Sequence, residues 1–195
     1  MKQDIIIAGV GGQGLLTIAG VIGATALKAG LNVKQSEVHG MAQRGGAVVS
    51  HLRLSSQPIA SDLAPEGSAH LLLSTEPMEA LRYLPLLRQD AWLVSNKNPV
   101  QNISAYPSLE ALWKRIGEWP HPMLLDADEL ARSADVRRAS NVVMLGAASV
   151  FIPLSHERMK DEIRSIFDRK GSAIVEKNIN AFDLGRAAAL KIHGK

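Results

Sequence analysis

At 195 residues, with 46% hydrophobic and 21% charged side chains, the chain has the length and balance of one globular domain with a sizeable core. A net charge of +3, no Lys/Arg block and 4% aromatics argue against a nucleic-acid reader. Cysteine is absent, which excludes a disulfide framework and a Cys-ligated iron–sulfur cluster on this chain alone, argues against a structural zinc site, and agrees with a cytoplasmic location.

The first element is predicted at Ile5-Ile6-Ile7-Ala8, whose β-branched run suits a strand buried on both faces. Gly9, Gly11 and Gly14 follow at the G-x-G-x-x-G spacing, with Gly12 and Gln13 between them. Leu15, Ile18, Ala19, Ile22 and Ala26 then recur at helical spacing. Strand, glycine turn and helix in this order form a context in which backbone N–H groups and a helix dipole favour an anion. The same pattern also fits a plain tight turn in which Gly14, Gly20 and Gly23 serve close packing. No charge occurs from residue 5 to 27, but glycines interrupt that run and Asp4 follows Lys2, so a buried strand and helix are expected rather than a membrane span or a secretory leader.

Ala29-Gly30-Leu31-Asn32 reads as a helix stop, followed by a second strand from about Val33 to Val38, parallel to the first. Glu37 stands near the position where dinucleotide enzymes hold ribose hydroxyls, yet Lys34-Gln35-Ser36 makes a poor buried strand, and a solvated loop residue is an equal reading. His39 to Gly46 is a loop in which Arg44, beside Gly45 and Gly46, could present a guanidinium and backbone N–H groups to a carboxylate or phosphate, or stand simply exposed. Ala47 to Leu54 alternates as a half-covered strand toward a sheet edge, with His51 at the surface or across from another strand. Further strands are expected at 69–74, 91–96 and 122–125, and helices from Pro77 to about Leu87 and from Leu109 to Ile116.

Asp126, Asp128 and Glu129 could hold Mg²⁺, but acids also belong in a helix's first turn, which is the expected use here. Residues 141–152 carry no charge and predict a buried helix ended by Pro153, with Gly146, Ala147 and Ala148 permitting close approach. Ser155 is the expected N-cap of a helix turning Met159, Ile163, Ile166 and Phe167 inward. A last helix from about Ser172 to Ile192 is expected to bury Ile174, Ile179, Phe182, Ala189 and Leu190, with Lys177 and Asn180 solvated on a shared face. The fold class is therefore α/β and Rossmann-like: a mainly parallel sheet, helices on both faces and a helical C-terminal third, with residues 1–195 as a single domain.

Four segments in order, Gly9-Val10-Gly11-Gly12-Gln13-Gly14, Gln43-Arg44-Gly45-Gly46-Ala47-Val48-Val49-Ser50, Asn141-Val142-Val143-Met144-Leu145-Gly146-Ala147 and Asn180-Ala181-Phe182-x-x-Gly185, resemble the gamma domain of the 2-oxoacid:ferredoxin oxidoreductases. Met41-Ala42-Gln43-Arg44-Gly45-Gly46 is most similar to the indolepyruvate branch of that family. The resemblance implies a heteromeric enzyme whose larger subunit holds thiamine diphosphate, Mg²⁺ and iron–sulfur clusters, decarboxylates an aryl pyruvate and passes electrons to ferredoxin, with coenzyme A accepting the acyl group. It leaves this chain no catalytic residue or metal, and a structural or coenzyme A-binding role carried by Gly9, Gly11, Gly12, Gln13, Gly14, Arg44, Gly45 and Gly46. The alternatives are a pyruvate-type or other 2-oxoacid gamma subunit, a stand-alone NAD-dependent dehydrogenase and a non-enzymatic assembly protein.

Overall fold

Residues 1–40 and 45–194 are described by the computed structural model. β1 (Lys2–Val10) is the central strand, and its triple isoleucine explains why: Ile5 and Ile7 enter one core while Ile6 enters the other, all fully buried. The sheet order is β2-β3-β1-β4-β5-β6, with β2 (Asn32–His39), β3 (Ala47–Ser55), β4 (Ala69–Ser74), β5 (Leu87–Asn96) and β6 (Pro122–Leu125). β1, β4, β5 and β6 pair in parallel, whereas β3 runs antiparallel to both β1 and β2. The sheet is thus mixed and mostly parallel.

This topology corrects two expectations. β2 points the same way as β1 but does not pair with it, because β3 is inserted between them and leaves β2 at one edge of the sheet. That position suits the polar Lys34-Gln35-Ser36 stretch. β3 is covered on both faces rather than one, and its polar residues are buried with partners. Arg53, opposite Asp4 in the ladder, donates from Nε to Asp4 Oδ1 at 2.7 Å and from Nη1 to the Ser61 and Leu63 carbonyls. His51 is buried, not at the surface, and its Nδ1 accepts from the Ala64 N–H at 3.2 Å. The connection from β3 to β4 therefore supplies the partners that solvent was expected to supply.

α1 (Leu15–Lys28), α4 (Ala127–Ser133), α5 (Ser140–Ala148), α6 (His156–Phe167) and α7 (Ser172–His193) cover one face; α2 (Pro77–Arg82) and α3 (Leu109–Gly117) cover the other. α2 ends at Arg82 rather than near Leu87, where β5 has already begun. α5 ends at Ala148, short of Pro153. It is buried nearly throughout, as its lack of charge predicts, because α7 crosses it at backbone contact. A Cβ on Gly146 would lie 2.0 Å from the Phe182 carbonyl oxygen, and one on Gly185 would lie 2.0 Å from that of Val143. The two glycines are reciprocal halves of one helix crossing.

Ser155 caps α6 by accepting from the Arg158 N–H, as expected. Met159 and Ile163 are buried, but Ile166, Ile174 and Leu190 are exposed, contrary to expectation. On α7 the buried stripe runs through Val175, Asn178, Ile179, Phe182, Gly185 and Ala189, so it includes polar and small residues that a search for large apolar ones passes over. Ile174 and Leu190 stand one residue, about 100°, off that stripe. Lys177 pairs with Asp135 instead of facing water alone.

Candidate functional site

The glycine turn lies where β1 ends and α1 begins, at the carboxyl edge of the parallel strands. β1 and β4 send their following helices to opposite faces, which opens a crevice at the point where an α/β sheet usually binds its ligand. Here Gln13 bridges the two strand ends. Its Oε1 accepts from the Val10 N–H at 2.8 Å and from Thr75 Oγ1 at 2.8 Å, and its Nε2 donates to the Thr75 carbonyl at 3.1 Å. Gly9 accommodates this clamp, since a Cβ there would fall 2.1 Å from Thr75 Oγ1. Gln13 is spent holding the turn to the end of β4.

The turn is also stitched to the segment before β3. The Gly11 N–H donates to the Gly46 carbonyl at 2.8 Å, and the Gly45 N–H donates back to the Gly11 carbonyl at 3.3 Å. The two glycine clusters singled out in the sequence, residues 9–14 and 45–46, are thus neighbours in space. Arg44 and the rest of 41–44 lie outside the described residues.

Of the turn's donors, those of Gly11 and Gln13 are consumed internally. The N–H groups of Gly12, Gly14, Leu15 and Leu16 have no partner among the described residues. Gly14 adopts a left-handed conformation at φ 78° as the N-cap, with no side chain to satisfy those donors. Asn141 at the start of α5 donates from Nδ2 to the Gly14 carbonyl at 3.3 Å, so the N-terminus of α5 meets that of α1. α5 also lacks a side-chain cap and an acid in its first turn, and Arg137 and Arg138, both exposed, come just before its N-cap Ala139. By contrast α2, α3, α4 and α6 are capped by Glu76, Ser108, Asp126 and Ser155. Two uncapped helix starts meeting at one glycine form a fixed arrangement of donors suited to an anionic group.

Beside the turn is a hollow of about 380 Å³, walled by Val10, Gly12, Leu15, Glu37, His39 and Val48. Glu37 is on β2, not in a loop, and its Oε2 is shielded from solvent with no hydrogen-bond partner among the described residues. Sequence reasoning left this residue open; only the strand placement fixes its surroundings.

The acids after β6 serve the fold. Asp126 Oδ1 accepts from the Glu129 N–H at 2.9 Å as the cap of α4, and Asp128 accepts from Asn98 Nδ2 at 2.6 Å. Glu76, which the sequence offers only as the residue opening a helix with Pro77, is fully buried just after β4, where it accepts from the Glu79 N–H as the cap of α2 and from the Tyr106 hydroxyl. Burial, reinforced by that carboxylate, pushes the Tyr106 hydroxyl pKa well up, so it stays protonated as a donor. Its role could be found only from the fold, because Tyr106 and Glu76 are 30 residues apart.

Known proteins resemble the chain throughout its length. Indolepyruvate oxidoreductase subunit IorB of Pyrococcus horikoshii is 40% identical over 200 residues, spanning 97% of each chain. Subunit IorB of Thermococcus kodakarensis is 38% identical over 205 residues, all of both chains. Among solved structures, the gamma subunit of a keto/oxoacid ferredoxin oxidoreductase from Geobacter sulfurreducens superposes with a TM-score of 0.70 at 23% identity, over 97% of this chain and 99% of that one. The 2-oxoglutarate:ferredoxin oxidoreductase from Magnetococcus marinus, solved with 2-oxoglutarate, coenzyme A and succinyl-CoA bound, gives a TM-score of 0.77 at 22% identity, with 97% of this chain aligned to 31% of that one. At these identities the structural likeness speaks for the fold. Residues 4–188 match the model of pyruvate ferredoxin/flavodoxin oxidoreductase, and the chain belongs to that family.

Proposed function

We propose that this chain, as one gamma-type domain over residues 1–195, is the small subunit of a heteromeric indolepyruvate:ferredoxin oxidoreductase that works in the cytoplasm. The observation that carries this reading is the match, over essentially the whole of both chains, to subunits named for indolepyruvate oxidoreductase. The larger subunit holds thiamine diphosphate, Mg²⁺ and the iron–sulfur clusters, converts the aryl pyruvate to an acyl-CoA and delivers the electrons to ferredoxin. A division of labour fits the composition, because a chain without cysteine has no thiolates with which to bind a cluster.

Within that complex the chain supplies a fixed binding surface for the anionic part of coenzyme A at a shared site. The free N–H groups of Gly12, Gly14, Leu15 and Leu16, and those at the uncapped start of α5, suit a phosphate in position and sign. Gly9, Gln13, Gly45 and Gly46 shape the turn by close packing and hydrogen bonding, while Arg44 supplies a cation to the same anion. Donors already held in place need little reorganisation when the ligand arrives.

The test is reconstitution with the larger subunit, reading indolepyruvate-dependent ferredoxin reduction against pyruvate and 2-oxoglutarate. Turnover that requires both chains and prefers indolepyruvate supports the proposal; preference for pyruvate reassigns the substrate, and aryl pyruvate oxidation by this chain alone defeats it. Ser140→Asp places a carboxylate at the start of α5, where the anion is proposed to lie. The expected result is a KM for coenzyme A raised tenfold or more with the KM for the 2-oxo acid unchanged.

A further inference from the structure

α1 carries no charged residue before Lys28, yet it is not covered all round. Leu15, Ile18, Ala19, Ile22 and Ala26 face the core. Leu16, Gly20, Ala24 and Leu27 occupy an arc of about 80° on the outward side. Leu16 is 63% exposed and Leu27 61% exposed, and a Cβ on Gly20 would meet nothing within 4 Å. A surface helix ordinarily presents charge on this side. Here the outward stripe is apolar and small, and it begins at Leu16, which also lines the hollow holding the Glu37 oxygen that has no partner among the described residues.

A buried carboxylate oxygen without a donor is costly in the free chain and attracts a cation. A nucleotide is the less favoured occupant. The crevice at which dinucleotides cross an α/β sheet is bridged by the Gln13–Thr75 hydrogen bonds, and the hollow, although it shares Gly12, Gly14, Leu15 and Leu16 with the turn proposed to hold a phosphate, extends away from that crevice toward Glu37 on β2 and Val48 on β3. An apolar helix face running into a pocket with one orphan carboxylate matches instead a protein segment that is apolar along its length and bears a guanidinium or ammonium group at one end. Such an anchor, desolvated and ringed by apolar contacts, is the usual form of an interface hot spot.

We infer that the outward face of α1 and the Glu37 hollow form the docking surface for the larger subunit, which lays an apolar segment along Leu16, Gly20 and Leu27 and inserts an arginine or lysine side chain to pair with Glu37. This inference rests on the subunit reading above. Three variants of the full chain test it against the purified larger subunit: Leu16→Lys and Gly20→Lys, both at open surface positions, and Glu37→Gln, which keeps the shape and removes the charge. Each is expected to weaken assembly at least tenfold in a calorimetric titration, while Glu37→Gln leaves the Tm of the free chain unchanged or raises it.

Wild-type-like assembly by all three variants, with the wild type itself assembling, overturns this inference alone. Failure of the wild type to assemble overturns the subunit reading together with it. A lowered Tm for Glu37→Gln shows that the carboxylate is already satisfied within the chain and removes the argument for a partner cation. Saturable AMP binding to the free chain, abolished by Glu37→Gln, assigns the hollow to a nucleotide and overturns it as well.

Discussion

Gln13 shows what a single side chain can settle. From the sequence it is one more member of a glycine-rich turn; in the fold it is a three-bond clamp whose partners are 3 and 62 residues away. Removing it in Gln13→Ala leaves the Val10 N–H and the Thr75 carbonyl short of partners, and an expected loss of about 2 kcal/mol follows, measurable by urea denaturation. Gln13→Glu is expected to do no better, since a carboxylate cannot donate to the Thr75 carbonyl. His51 and His70 present a related case. Each accepts a backbone N–H on Nδ1, from Ala64 and Asp4 respectively, and burial is the main cause holding both pKa values below the usual 6.5. The unfolded chain therefore binds more protons just below pH 6.5, and stability falls as pH drops through that value until the depressed folded-state pKa values are reached. His51→Asn with His70→Asn retains a side-chain oxygen as acceptor and removes both titrations. The expected result is a flatter dependence of Tm on pH between about 7 and 5.

Among the elements, legibility followed the source of each element's partners. β1 and the inward face of α1 were readable because their burial is written in unbroken local runs of Ile, Leu and Ala. β3 was misread because its polar residues bond to the 56–68 connection, and no local pattern distinguishes that from exposure to water. Breaking the Asp4–Arg53 pair in Asp4→Ala strands a buried guanidinium and is expected to cost about 3–5 kcal/mol. At the crossing of α5 and α7, Gly146 was legible as a small residue but not as the partner of Gly185. Gly146→Ala and Gly185→Ala each force a methyl into a backbone carbonyl, so each is expected to destabilise by about 3 kcal/mol, the upper end for overpacking. Because either substitution would separate the same two helices, the double mutant should lose clearly less than the sum of the singles.

In the whole molecule, the two faces of the sheet differ in who covers them. Among the described residues, one face relies on five α-helices, three of them after residue 139, while the other has α2, α3 and the short turn at Leu84–Leu86. A chain ending at Gly171 loses α7 and with it Phe182, which is fully buried, and uncovers α5. That truncation is expected to abolish the cooperative thermal transition, as differential scanning calorimetry would show. The alternation of strand and helix made this α/β class legible from the sequence, and the site less so. Contacts such as Asn141 to Gly14, across 127 residues, depend on a tertiary arrangement that no spacing encodes. The meeting of the two glycine segments is of the same kind, since it follows from β3 turning back beside β1.

That insertion of β3 places the N-terminal strand at the centre of the sheet, with an antiparallel neighbour on one side and a parallel one on the other. Deuterium uptake should therefore be graded across the sheet: amides of Ile5 to Ala8 should be retained longest, exchanging only when the whole sheet opens, and those of Asn32 to His39 at one rim should be replaced sooner. The outermost ribbon can then breathe without loosening the strand from which the turn projects.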